Sequence, residues 1–111
     1  KLIHKKILFQ EINKNTLSSY HLFIIRILGK NNKKIRDKIL LGLKKKKIYL
    51  GIHYYPVHLQ PYYKNLGFRR GNFPISEDYS DTAMSLPIYS GLKKKETDKI
   101  INYILNNLDE K

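Results

Sequence analysis

The run Tyr20-His21-Leu22-Phe23-Ile24-Ile25-Arg26-Ile27 leaves the least freedom to this chain. It is β-branched, aromatic and nearly continuous in apolarity, so it reads as a strand covered on both faces. A layer of helices must supply that cover. Ile35, Ile39 and Leu43 recur at four-residue spacing with Leu40 beside them, and charged residues fill the positions between. This predicts an amphipathic helix over Lys33–Leu43 packing one stripe on the sheet. Ile100, Ile101, Ile104, Leu105 and Leu108 form a second stripe, with Glu96 and Asp98 in the first turn, and predict a helix over Glu96–Leu108.

Between the helices, Ile48-Tyr49-Leu50-Gly51-Ile52-His53-Tyr54 alternates with period two and reads as a second strand. Ser76-Glu77-Asp78 has the chemistry of a helix start. Leu86-Pro87 stops that helix, which leaves Ser85–Tyr89 extended. Residues 1–19 carry turn chemistry at Asn13, Asn15, Ser18 and Ser19, with a short helix or strand around Ile7–Ile12. The expected fold class is α/β in the broad sense. It is either a parallel crossover or an α+β two-layer domain, with a small sheet and flanking helices.

At 111 residues there is room for one domain. The chain has no cysteine, which excludes disulfides and thiolate metal sites and fits a reducing, cytoplasmic setting. The longest apolar run, Leu22–Leu28, contains Arg26 and is too short to span a bilayer. The net charge of +13 admits a polyanion partner. Yet the runs Lys44–Lys47 and Lys93–Lys95 sit at element ends and are not interleaved with aromatics for stacking bases. Lys, Asn and Ile are over-used throughout, so compositional bias accounts for the charge better than nucleic-acid binding does.

Chemistry concentrates in Gly51–Tyr63, where the second strand breaks at Pro56. The stretch holds His53, Tyr54, Tyr55, His58, Gln60, Tyr62 and Tyr63. No Asp or Glu lies between Leu41 and Ser76, and His53 and His58 are not a helical pair, so a metal site is disfavoured. No nucleophile stands beside a base. General acid–base work and ligand recognition both stay open, since imidazole and phenol can bond hydroxyls or phosphate and rings can cover a sugar.

Several segments, taken together and in order, carry a family likeness. They are Ser18–Phe23, His53-Tyr54-Tyr55-Pro56-Val57-His58-Leu59-Gln60-Pro61-Tyr62-Tyr63, Gly71-Asn72-Phe73-Pro74 with Glu77, and Ser85-Leu86-Pro87-Ile88-Tyr89. This ordered set resembles the C-terminal part of the DegT/DnrJ/EryC1/StrS nucleotide-sugar aminotransferases. Within the family it is most similar to the branch that aminates a UDP-4-keto-6-deoxy-N-acetylaltrosamine on the way to pseudaminic acid.

The resemblance implies the small C-terminal domain of a type I pyridoxal-phosphate (PLP) fold. Residues 1–19 would then lead in from a large domain, and residues 20–111 would form the small one. The cofactor lysine belongs to the large domain, so this chain is not expected to transaminate alone. The implied substrate contacts are His53, Tyr54, Tyr55, Pro56, His58 and Tyr62. No catalytic residue and no metal ligand is implied. The implied partners are a UDP-sugar, an amino-acid donor and a second subunit, with neither membrane nor nucleic acid involved. A small basic nucleic-acid-binding module is the alternative.

Two positions depart from the family's habit. Relatives usually place glycine at a left-handed turn before the second strand, where Lys47 stands here. They usually cap the last helix with Ser or Thr, where Lys93 stands. Each exchange costs on the order of 1 kcal/mol.

Overall fold

The computed structural model describes residues 4–108. Strands β1 (Ile7–Phe9), β2 (Phe23–Ile27) and β3 (Ala83–Leu86) form one antiparallel sheet in the order β1-β2-β3. The helices are α1 (Asn32–Lys45), α2 (Pro61–Asn65), α3 (Pro74–Thr82) and α4 (Lys94–Leu108), with a single 3-10 turn at Val57–Leu59. The architecture is therefore an α+β layer, and the parallel crossover does not form.

The expected strand is β2, and it is central. Ile7 stands opposite Ile27, and Ile25 stands opposite Met84. These side chains meet Ile39 and Leu43 of α1 and Ile100, Ile104 and Leu108 of α4 in one buried cluster. Ile25, Ile27, Ile39, Met84, Ile104 and Leu108 have no exposed surface, so both predicted helical stripes face the sheet. Ile7, within the lead-in segment, belongs to this core.

Arg26 alternates to the opposite face of β2. Its Nε donates to Thr82 Oγ1 at 3.0 Å, its Nη2 pairs with Asp78, and its guanidinium lies over the Tyr79 ring. On the far face of the sheet α3 thus packs against Arg26 through polar contacts, while Leu8 beside it stays exposed. Among the described residues no helix is long and apolar enough to cross a membrane.

The second predicted strand does not form. Within Ile48–Tyr54 only Gly51 pairs, as an isolated bridge to Ser85. In that antiparallel register the next pairing position would set Tyr49 against Pro87, which has no N–H to donate. The other direction would reach Ala83, where α3 has only just ended. The alternation is real, but the edge it would join is too short.

Two further boundaries differ from expectation. Helix α3 begins at Pro74 rather than after Ser76, with proline in the first turn where its missing N–H costs nothing. Strand β3 starts at Ala83 and stops before Pro87, so Pro87–Tyr89 lie beyond it.

Lys47 has φ 60, the left-handed conformation expected at that position. The Lys47 N–H reaches the Lys44 carbonyl at 2.9 Å, and the Ile48 N–H reaches the Leu43 carbonyl at 3.0 Å. This is a Schellman ending with lysine where glycine is strain-free. At α4 the Lys93 carbonyl accepts from the Glu96 and Thr97 N–H groups, and the Glu96 carboxylate accepts the Lys93 N–H at 2.9 Å. Half of a capping box is present, and the half that a Ser or Thr hydroxyl would supply is missing.

Candidate functional site

The Gly51–Tyr63 segment is fastened at two points. At its start, Gly51 and Ser85 exchange backbone hydrogen bonds of 2.8 and 3.2 Å. The His53 ring folds back over Gly51 and joins Ser85 Oγ through Nδ1 at 2.7 Å. A Cβ on Gly51 would stand 2.5 Å from His53 Cε1, so this fold-back requires glycine there. The His53–Tyr54 peptide bond is cis.

The second anchor is buried. His58 Nε2 donates to Glu77 Oε1 at 2.8 Å, and both residues are almost fully enclosed. Glu77 also accepts the Gly71 N–H at 2.8 Å and the Phe73 N–H at 3.3 Å. Gly71 reaches the carboxylate with φ 97, which favours glycine. Burial pushes the Glu77 carboxyl up. The hydrogen bonds from Gly71, His58 and Phe73 outweigh it and hold the group below its ordinary 4.5. The carboxylate is thus the ionised hub of the 3-10 turn, the 66–73 loop and the first turn of α3.

A second ionic tie holds the same loop. Arg70 pairs with Asp81 at 2.9 Å, and Lys33 reaches Asp81 from α1 at 3.0 Å. Burial raises the Asp81 carboxyl, but Arg70 and Lys33 outweigh it and keep it below its ordinary 3.8. Hydrogen bonding and charge from Asp81 in turn raise the Arg70 guanidinium.

Over this base lies a relay of rings. Tyr62, Tyr63, Phe68, Phe73 and His58 follow one another with centroids 4.8 to 6.3 Å apart. Val57, His58, Tyr63, Phe68, Phe73 and Ser76 line a cavity of about 340 Å³.

The six implied contact residues therefore divide. Tyr54, Tyr55 and Tyr62 are exposed, at 74%, 50% and 69%. His53 is half-buried against Ser85. Pro56 and His58 are buried, and His58 bonds Glu77 through Nε2 while its ring lines the cavity. The rings of Tyr54 and Tyr62 are the most exposed of the six, and His58 lies buried against Glu77. Glu77, Ser85, Arg70 and Asp81 were not among the sequence candidates. For Glu77 the signal was available: an acid one turn into a helix opened by Gly71-Asn72-Phe73-Pro74 is placed to reach back to those N–H groups.

Among the described residues the donor sets of a metal and of PLP do not come together. Among the described residues no group of three or more His, Cys, Asp or Glu could hold a metal ion. A PLP site needs a lysine for the Schiff base and an acid for the pyridine nitrogen. Every described lysine except Lys6 is exposed, and Lys6 donates to the Leu108 carbonyl. These lysines do not fit the cofactor.

Residues 3–105 match the DegT/DnrJ/EryC1/StrS aminotransferase family. The erythromycin biosynthesis sensory transduction protein EryC1 of Saccharopolyspora erythraea is 35% identical over 85 residues, which cover 76% of this chain and 22% of that protein. The PLP form of a sugar aminotransferase from Streptococcus pneumoniae, Spr1654, superposes with a TM-score of 0.80 at 31% identity, over 94% of this chain and 26% of that one. Helicobacter pylori PseC, an aminotransferase involved in the biosynthesis of pseudoaminic acid, superposes with a TM-score of 0.69 at 26% identity, over 83% of this chain and 24% of that one. The chain thus spans about a quarter of the length of these relatives. With both the sequence match and the shared architecture in hand, the chain belongs to the DegT/DnrJ/EryC1/StrS aminotransferase family.

Proposed function

We propose that this chain is the C-terminal, substrate-orienting part of a PLP-dependent sugar aminotransferase. Its substrate is a UDP-4-keto-6-deoxy-sugar of the pseudaminic acid type. The observation that carries the reading is the braced edge at His53–Tyr55. Exposed tyrosines stand on a segment locked from behind by Ser85 and by the His58–Glu77 pair. Recognition groups on a rigid support lose little freedom when a ligand binds.

The cofactor's chemistry is amino transfer, and its lysine is supplied outside these 111 residues. This chain's share is orientation. Tyr54, Tyr55 and Tyr62 cover the nucleotide-sugar and bond its hydroxyls, and His53 adds an imidazole at the same edge. Pro56 and His58 hold that edge in place. The 111 residues act in the cytoplasm, as part of a homodimer, and the chain without its cofactor domain is inactive.

A chimera tests the proposal. This chain replaces the matching C-terminal part of Helicobacter pylori PseC, and PLP absorbance reports correct assembly. Amino transfer to UDP-4-keto-6-deoxy-N-acetylaltrosamine in preference to other nucleotide 4-keto-sugars is expected. An assembled, PLP-loaded chimera that prefers another sugar overturns the substrate assignment. One that binds PLP but aminates no nucleotide sugar overturns the orienting role.

A further inference from the structure

A second cavity has no lining residue in the His53–Tyr63 segment. Lys46, Lys47, Ile48, Tyr49, Pro87, Tyr89, Leu92, Glu96, Lys99 and Ile100 enclose about 470 Å³ where α1 ends and α4 begins. That volume is in the range of small-molecule sites. Its apolar floor comes from Ile48, Leu92 and Ile100. Tyr49 and Tyr89 stand on its rim, 68% and 60% exposed.

Three lysines, Lys46, Lys47 and Lys99, and one carboxylate, Glu96, line the cavity, so its net charge is positive. Lys46 lies over the Tyr103 ring. Glu96 keeps its negative charge while one of its oxygens accepts the Lys93 N–H. Among the described residues neither Lys47 nor Lys99 forms an ion pair. Lys47 is also the residue in the left-handed conformation that glycine would adopt without strain. Lys47 and Lys99 both line the cavity, and two ammonium groups without a carboxylate partner suit an anion.

We infer that this cavity is a binding site for a small phosphorylated molecule. Lys47 and Lys99 hold the phosphate, and Tyr49 and Tyr89 cover an attached flat or sugar ring. The site is separate from the proposed sugar-orienting edge and does not depend on it.

Backbone amide NMR of the 111-residue chain tests the inference with four probes: uridine 5'-monophosphate, glucose 1-phosphate, inorganic phosphate and uridine. Saturable shifts at Lys47, Tyr49, Tyr89 and Lys99 are expected with at least one phosphorylated ring, at a Kd near about 1 mM or tighter. Whether the nucleotide or the sugar phosphate binds tighter tells a base from a sugar on the tyrosines. Lys47→Gly relieves the backbone while removing the ammonium, so a loss of binding there is not a loss of fold. Lys47→Gly combined with Lys99→Gln is expected to weaken binding by about tenfold or more. Three results overturn the inference: no saturable shift with either phosphorylated ring, uridine binding as tightly as its monophosphate, or unchanged affinity in the double variant. Inorganic phosphate binding as tightly as both phosphorylated rings overturns the part assigned to the tyrosines.

Discussion

Replacing Arg36 with methionine tests the packing logic of the fold directly. Arg36 is on α1 and only 3% exposed. Its Nη1 donates to the Ser80 carbonyl at 2.9 Å and to the Ala83 carbonyl at 3.4 Å. These carbonyls lie at the end of α3, which carries no basic residue of its own in the last turn. A cation from another helix therefore caps the negative end of the α3 dipole. Asp37 Oδ1 lies 2.8 Å from Arg36 Nε, close enough to balance charge but off the line of the N–H, so Nε has no hydrogen bond.

A hydrogen bond from a charged group contributes about 1.5–3 kcal/mol, and the longer contact to Ala83 adds less. Methionine keeps much of the apolar stem packing. Arg36→Met should therefore cost about 2–4 kcal/mol out of a total of about 5–15 kcal/mol. In urea unfolding with m of about 2 kcal/mol/M, the midpoint should fall by about 1–2 M with m unchanged. A loss below about 0.5 kcal/mol would refute the cap, because it would mean that Ser80 keeps its partner or never needed one.

Two substitutions that suit the local backbone should stabilise this chain. Lys47→Gly relieves a left-handed backbone and Lys93→Ser completes the cap of α4, each raising stability by about 0.5–1 kcal/mol by thermal or urea unfolding. A fall in stability with either would show that the local geometry is misjudged. Stability should also drop in acid. Glu77 and Asp81 are held below their ordinary 4.5 and 3.8, so their contribution is complete above those values and disappears as pH falls through the lower folded-state values. Glu77→Gln should flatten this acid limb in urea midpoints measured from about pH 7 to about pH 3, and an unchanged limb would exclude Glu77 as its source.

The parts of the fold that sequence made legible are those with a period. The stripes of α1 and α4 and the run in β2 each bury a regular set of residues, and regular burial leaves a regular trace. The Ile48–Tyr54 alternation had the same trace without the outcome. A strand also needs a partner with free N–H groups, and Pro87 withdraws one at the position Tyr49 would occupy. The crowding of His53–Tyr63 was legible as chemistry, but its anatomy was not. The His58–Glu77 pair joins residues 19 apart, and His53–Ser85 joins residues 32 apart. Contacts of that kind depend on how the chain folds over itself, and no local pattern encodes them. Lys47 shows the converse: its departure from a glycine habit pointed to a left-handed turn, and φ at that residue is positive.

In the proposed function the His53–Tyr55 edge orients a nucleotide sugar. Steady-state kinetics of Tyr54→Ala in the PLP-loaded chimera with PseC tests it most directly. Tyr54 is exposed, lies outside the buried core and meets the His53 ring edge-on at 4.7 Å, so its removal leaves the core intact. KM for the UDP-sugar should rise about tenfold, with KM for the amino donor and PLP absorbance unchanged. An unchanged KM for the UDP-sugar, with the cofactor bound, would contradict it.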